Sequence, residues 1–296
     1  MGKVKFPRLE SANFRETDKF PGPPGGHPHK RLAPRSGNQF RIGPPFGSTC
    51  SQNQLFLPSR EILEPVIEAR IDRGFDYING TWVGYKRNYF GAVVGFRFAG
   101  VTNEAALDLH ILCCGPDTKG KTKMVKLFRI QLRAECTESP QRKVALVQHT
   151  AKRDNGPQTE PPIFNIIPGV LPSHNVIRQI SNIRNGAKVS SSNRLFHYDE
   201  VDRGLALKRH QNGILKNYPR GEHVTVAGRY DRIQFQYAGA KLEKGFFLKV
   251  VLTAVLEGGA EIEIASAQTP SLVVRGRSPS SYKLDPPKAD YGRSGK

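Results

Sequence analysis

Four runs of this chain repeat with a period of two, and that rhythm constrains the fold more than any other feature. Phe90, Ala92, Val94, Phe96 and Phe98 alternate with Tyr89, Gly91, Val93, Gly95 and Arg97. Leu107, Leu109, Ile111 and Cys113 alternate with Asp108 and His110, and Phe128, Ile130, Leu132 and Ala134 with Arg129, Gln131 and Arg133. Phe246, Leu248, Val250, Leu252 and Ala254 alternate with Phe247, Lys249, Val251 and Thr253. Successive side chains of a strand point to opposite faces, so each run reads as a half-buried strand. Turn signals separate the runs: Asn79-Gly80, Gly115-Pro116-Asp117, Glu138-Ser139-Pro140 and Glu257-Gly258-Gly259. Helical periodicity is weak; Glu200 to Arg209 could hold one helix, with Gly204 counting against it. Many strands between Gly/Pro turns, with few short helices, predict an all-β sandwich.

Residues 1–28 are polar and rich in Pro and Gly, ending in PGPPGGHPH, and are expected to form a disordered arm. Residues 283–296, KLDPPKADYGRSGK from Lys283, are read as a similar tail. An ordered domain is expected between them, over 29–282. Within it, residues 149–195 carry Pro157, Pro161, Pro162, Pro168 and Pro172 and scattered cations, and read as long loops. Loops of that length are usually functional or disordered, and a sandwich can aim them at a ligand.

The 296-residue chain has 45 Lys+Arg against 26 Asp+Glu, a formal net charge of +19. An excess this large attracts polyanions and speeds their encounter. The four cysteines, Cys50, Cys113, Cys114 and Cys136, form no CxxC pair, so neither a disulfide framework nor a zinc site is expected. Reduced thiols in a cytosolic or nuclear protein fit better, with Cys113 in the core. No run approaches 18 apolar residues, and the N-terminus lacks an apolar signal core, so neither a membrane span nor secretion is expected. The Asn79-Gly80-Thr81 sequon therefore reads as a turn. There is no P-loop, dinucleotide fingerprint or carboxylate pair of catalytic spacing. No enzymatic activity, cofactor, metal or small-molecule substrate is expected.

Several segments mix cations with aromatic or amide groups. Tyr85-Lys86-Arg87-Asn88-Tyr89 suits a surface that reads base edges: Arg can donate two parallel hydrogen bonds to guanine, and Asn can pair with adenine. The alternative is a solvated strand start. His149-Thr150-Ala151-Lys152-Arg153-Asp154 follows a strand expected over Val144 to Gln148. It reads either as a cationic loop tip or as a charged turn in which Asp154 pairs with one cation. Arg178 to Asn185 is a basic, amide-rich loop. Arg229 and Arg232 flank Tyr230-Asp231, Arg275-Gly276-Arg277 comes late, and Arg31, Pro34 and Arg35 come early. Lys119, Lys121, Lys123 and Lys126 read as a solvated hairpin edge. Two functions stay open on these residues: a duplex-DNA binder, or a basic module that binds RNA or an acidic protein.

The segments APRSGNQFRIGPPF, IDRGFDYINGTWVGYKRNYF, LVQHTAKRDNGPQ, IRQISNIRN, GRYDRIQF and VVRGRSPSSY occur in this order. Together, over Lys30 to Tyr282, they resemble the fungal non-dityrosine meiotic transcription factor family, the NDT/PhoG-like DNA-binding domains. The resemblance implies a single s-type immunoglobulin-fold β-sandwich with long decorated loops. It also implies a nuclear transcription factor that binds double-stranded DNA and regulates meiosis, sporulation or nutrient-stress genes; no heptad pattern is present, so binding as a monomer is expected. The expected target is a GC-containing core followed by an A·T tract, of the middle sporulation element type. By motif, Arg87 and Arg153 resemble the major-groove readers of guanine, with Asn88, Tyr89 and Lys152 in support. Pro34 and Arg35 resemble readers of the A·T tract, with Arg31 just ahead of them. Arg178, Arg184, Arg229 and Arg277 resemble further DNA contacts.

Overall fold

A computed structural model describes residues 40–86, 88–138, 143–150, 152, 155–181, 192–198, 200–211, 213–219, 223–236 and 245–276. All of them lie in the second of the two units into which the chain divides, Gly37–Lys296. The expected arm and tail, and the boundaries at 28/29 and 282/283, lie outside the described residues.

Among the described residues the strands form two sheets. The smaller has five strands in the order Gln158–Thr159, Leu146–His149, Gly228–Phe235, Phe90–Phe98 and Pro65–Arg73. The larger runs His197–Tyr198, Val224–Thr225, Phe164–Ile166, Lys123–Cys136, Phe246–Leu256, Leu272–Arg275, Thr81–Tyr85 and Phe75–Ile78, with shorter strands branching from it. The core lies between the two. Phe96 and Phe98 of the small sheet meet Phe128 of the large one at ring-centroid distances of 5.1 and 6.0 Å. The fold is the β-sandwich that the period-two runs predict.

Two buried tyrosines hold the large sheet through polar groups, Tyr230 from the small sheet and Tyr218 from the end of the turn Ile214–Asn217. The Tyr230 hydroxyl accepts from the Leu132 N–H at 3.0 Å and donates to the Pro162 carbonyl at 3.1 Å. The Tyr218 hydroxyl accepts from the Phe128 N–H at 3.2 Å and donates to the Ile166 carbonyl at 2.5 Å. Each such bond contributes about 1 kcal/mol net, but losing one partner strands a buried group at a larger cost.

The Asn79-Gly80 turn forms as expected. With φ of 48° and 79° it joins Phe75–Ile78 to Thr81–Tyr85 as a two-residue hairpin. The helix over Glu200–Arg209 also forms, and Gly204 faces open space in it.

Other expectations are corrected. Leu107 to Cys113 is not one strand. Thr102 caps a short helix, Asn103–Ala106, whose turn buries Leu107, and only Leu112–Cys114 is extended. Val144 to Gln148 is broken at Ala145. Lys143–Val144 pairs with Lys123–Cys136 in the large sheet, and Leu146–His149 pairs with Gly228–Phe235 in the small one. The strand Phe90–Phe98 is buried on both faces rather than one. Its outer residue Val93 packs with Ile177, Phe196 and Ala227, and Leu171 lies over Gly95. The covering layer comes from the segment read as loops. That segment contains strands Gln158–Thr159 and Phe164–Ile166 and a helix, His174–Ile180, in which the Ser173 hydroxyl caps the Val176 N–H.

Candidate nucleic-acid interface

The Tyr85–Tyr89 turn is built on a parallel pair. Thr81–Tyr85 lies beside Leu272–Arg275, with Tyr85 opposite Arg275. The Lys86 N–H donates to the Arg275 carbonyl and the Asn88 N–H to the Tyr85 carbonyl, both at 2.9 Å. The backbone is thereby fixed while the Asn88 side chain is exposed and Tyr89 half-buried. Beneath the turn the chain reverses at Gly74, with φ of 105°. A Cβ there would stand 2.4 Å from Cβ of Phe90, so only glycine allows this approach. Arg87 and Arg277 lie outside the described residues.

The second segment meets the first through a ring contact. His149, at the end of Leu146–His149, lies edge-on to Tyr89 with ring centroids 5.1 Å apart. His149 is 4% exposed, and among the described residues neither ring nitrogen has a hydrogen-bond partner. The chain then turns, the Asn155 N–H donating to the Lys152 carbonyl at 3.2 Å, and leaves the Lys152 side chain exposed. Arg153 and Asp154 lie outside the described residues, so both readings of this turn rest on atoms beyond them.

Between the two segments runs Gly228–Phe235. Tyr230 is in register with Ala92 and Ile233 with Phe90, so Asp231 and Arg232 together oppose Gly91 in a β-bulge. Asp231 turns toward cations, with Arg229 at 2.7 Å and Arg73 at 3.6 Å. Arg229 also donates to the Ser181 hydroxyl at 3.3 Å, and its guanidinium lies 5.3 Å from the Phe196 ring centroid. Arg73 stacks over Phe40 at 5.2 Å. A small cleft here is lined by Phe40, Asp72, Arg73, Ile177, Arg229 and Asp231, among others.

The helix His174–Ile180 is anchored on this surface from below. Asp72, 2% exposed, accepts from Arg70 Nε at 2.7 Å and from His174 Nδ1 at 2.6 Å. A carboxylate can only accept, so His174 carries its proton on Nδ1. Arg70 Nη2 also donates to the Pro172 carbonyl at 2.6 Å. With Ile177 buried on Val93, the next residue, Arg178, is exposed above the sheet near Arg229.

The structure thus brings Asn88, Tyr89 and Lys152 to one surface, and Arg178 and Arg229 to another part of the same sheet. Pro34, Arg35, Arg31 and Arg184 lie outside the described residues. The sequence reading passed over Phe40, Asp72, Arg73, His174 and Ser181, which hold that surface together. Their signal was faint, since each acts through a partner distant in sequence. The surface has a clear electrostatic sign: Arg73 and Arg229 share the half-buried carboxylate Asp231, while Lys152 and Arg178 are exposed. Lys119, Lys121, Lys123 and Lys126 are exposed, as expected, but not on an edge: Lys123 and Lys126 begin the strand Lys123–Cys136, which is paired with Leu112–Cys114 on one side and Phe246–Leu256 on the other. No cluster of metal-ligating side chains occurs among the described residues, and no helix among them is long and apolar enough to cross a membrane.

Fold and surface together define a β-sandwich whose small sheet carries a cationic face fed by polar turns. Residues 81–285 match the NDT80/PhoG-like DNA-binding family, and the chain belongs to it. Among curated proteins it is similar to "Transcription factor NDT80" of Candida albicans, 32% identical over a gapped alignment of 302 positions that covers 86% of this chain and 59% of that protein. It is also similar to "Meiosis-specific transcription factor NDT80" of Saccharomyces cerevisiae, 33% identical over a gapped alignment of 290 positions that covers 85% of this chain and 44% of that protein. The chain therefore spans about half the length of these relatives.

Proposed function

We propose that this protein is a nuclear, sequence-specific transcription factor that binds double-stranded DNA as a monomer and carries no catalytic step. Its target is a GC-containing core followed by an A·T tract, like the middle sporulation element, and its genes belong to meiosis, sporulation or nutrient stress. The observation that carries this reading is the contact between Tyr89 and His149, which ties the YKRNY turn to the HTAKRD turn. Arg87 precedes Tyr89 by two residues and Arg153 follows His149 by four, so a duplex can be gripped by both at once. Each guanidinium presents a fork that matches O6 and N7 of guanine in the major groove. A pyrimidine 5′ to the guanine makes a deformable step that can admit the arginine plane. Asn88, Tyr89 and Lys152 support the two arginines, and Arg178, Arg184, Arg229 and Arg277 extend the contact along the backbone.

The A·T tract falls to Pro34 and Arg35, with Arg31 beside them. The test is selection of preferred sites from random duplexes by the purified chain, followed by competition with single-stranded RNA at fixed salt. A GC-containing consensus that outcompetes RNA is the expected result. No enriched site, or equal competition by RNA, overturns the reading in favour of a general basic module.

A further inference from the structure

Arg232 is the feature that the family assignment leaves unexplained. It has φ of 55°, in the left-handed region, where a residue with a long side chain is uncommon. The other non-glycine residues with positive φ, Arg60, Asn79 and Lys119, stand in turns between elements; Arg232 stands inside a strand. The pattern of burial explains what the strain accomplishes. Tyr230 and Ile233 are both fully buried, although strict alternation would send one of them outward. The bulge absorbs the extra residue and keeps both in the core. Asp231 is taken up by Arg73 and Arg229. Arg232 is half-buried, and among the described residues no carboxylate lies within ion-pair distance of it.

Its place in the sheet is specific. Ile233 pairs with Phe90 on one side and with Gln148 on the other. Arg232, the preceding residue, therefore lies between the start of Phe90–Phe98, which follows Asn88 and Tyr89, and the end of Leu146–His149, which leads to Lys152. A glycine would hold the left-handed bulge without strain. An arginine there sets an unpaired cation midway between the two reading turns, and backbone strain of this kind gathers where a side chain must be aimed.

We infer that Arg232 is a DNA-backbone contact that seats one phosphate between the strand segments carrying Arg87 and Arg153. The inference rests on the DNA-binding reading above and adds to it a residue whose work is positioning rather than base choice. An arginine against a phosphate oxygen makes a charge-assisted hydrogen bond and releases a condensed counterion, with no dependence on base identity.

The test compares the full chain with its Arg232→Gly and Arg232→Lys variants on a selected duplex and a scrambled one across a salt series. Arg232→Gly is expected to melt at a higher temperature, since the left-handed backbone is then unstrained. It is also expected to bind both duplexes about tenfold more weakly, with a salt slope smaller by about 0.9. Arg232→Lys keeps the slope. Higher thermal stability combined with weaker binding is a signature that a purely structural arginine does not give. Parental affinity and slope in Arg232→Gly overturn the inference while leaving the DNA reading intact. Loss confined to one base pair of the selected site overturns the phosphate assignment. A parent chain that binds neither duplex overturns the DNA reading and this inference with it.

Discussion

The imidazole of His149 lies edge-on to the phenol ring of Tyr89, 5.1 Å between centroids, buried and, among the described residues, with both nitrogens unbonded. An imidazole makes an expensive spacer in such a place, because each buried polar atom without a partner costs about 1–3 kcal/mol. The ring's shape matters here more than its chemistry. His149→Phe keeps the aromatic contact and removes the stranded nitrogens, so it is expected to raise stability by about 1–2 kcal/mol with DNA binding intact. His149→Ala empties the site, costs about 2–4 kcal/mol and weakens duplex binding, because Tyr89 loses its support. Urea midpoints and duplex titrations of the two variants check the pair of outcomes.

Asp72 is the anchor of the helix His174–Ile180. Its carboxylate is nearly inaccessible and serves both Arg70 and His174. Replacing it with the neutral amide leaves Arg70 without a counter-charge beneath the helix. Asp72→Asn is expected to cost about 3 kcal/mol, the usual penalty for removing one member of a buried pair. Because Asp72 holds the first turn of the helix through His174, the loss should concentrate there. Amide exchange over 174–181 is expected to accelerate before exchange in the strand Phe246–Leu256. Uniform acceleration across both would show that Asp72 supports the sandwich rather than the helix.

That helix also marks where the sequence was hardest to read. It spans seven residues, too short for a helical period to stand out, and its anchor is an aspartate 102 positions away. The loss of alternation in burial along Phe90–Phe98 has the same origin: Val93 is covered by Ile177 and Phe196, which no local pattern announces. The break at Ala145 is equally hidden, since Lys143–Val144 and Leu146–His149 differ only in which sheet they join. By contrast, Lys123–Cys136 was legible because Phe128, Ile130 and Leu132 are buried while Arg129, Gln131 and Arg133 between them are half-exposed. The candidate site divides the same way. The cation-bearing turns are local motifs and stand out. Asp231 as the shared counter-ion of Arg73 and Arg229 requires a bulge that depends on register across three strands.

Alkaline conditions probe the core from another side. Burial, reinforced by neighbouring Cys114 and Asp117, pushes the Cys113 thiol from 9.0 up to about 11. Its folded-state value is therefore above its unfolded one, and unfolding releases a proton between the two. Stability from this group is complete below pH 9 and declines as pH rises toward 11. Burial raises Tyr218 and Tyr230 above the ordinary 10.0 as well, so a further decline begins above pH 10. Cys113→Val is expected to flatten the fall in urea midpoint between pH 8 and pH 10 and to leave the steeper fall above it. An unchanged slope in that window would mean that Cys113 does not titrate on unfolding.

Arg87 and Arg153 are predicted to act as separate readers. If each forks onto its own guanine, Arg87→Ala and Arg153→Ala each lose about 1–3 kcal/mol of duplex affinity. Each also relaxes base choice at one position and not at the other. With a guanine for each and no shared partner, the losses are expected to add within about 0.5 kcal/mol in the double variant. Lysine at either site keeps the charge but not the fork, so Arg87→Lys should retain the salt slope while losing selectivity at its own base pair. Titration of each variant against the selected duplex and its single-base substitutions separates the contributions. Full affinity with unchanged base preference in Arg87→Ala would remove that residue from the reading surface, and with it the role given to the turn that Tyr85 and Arg275 hold in place.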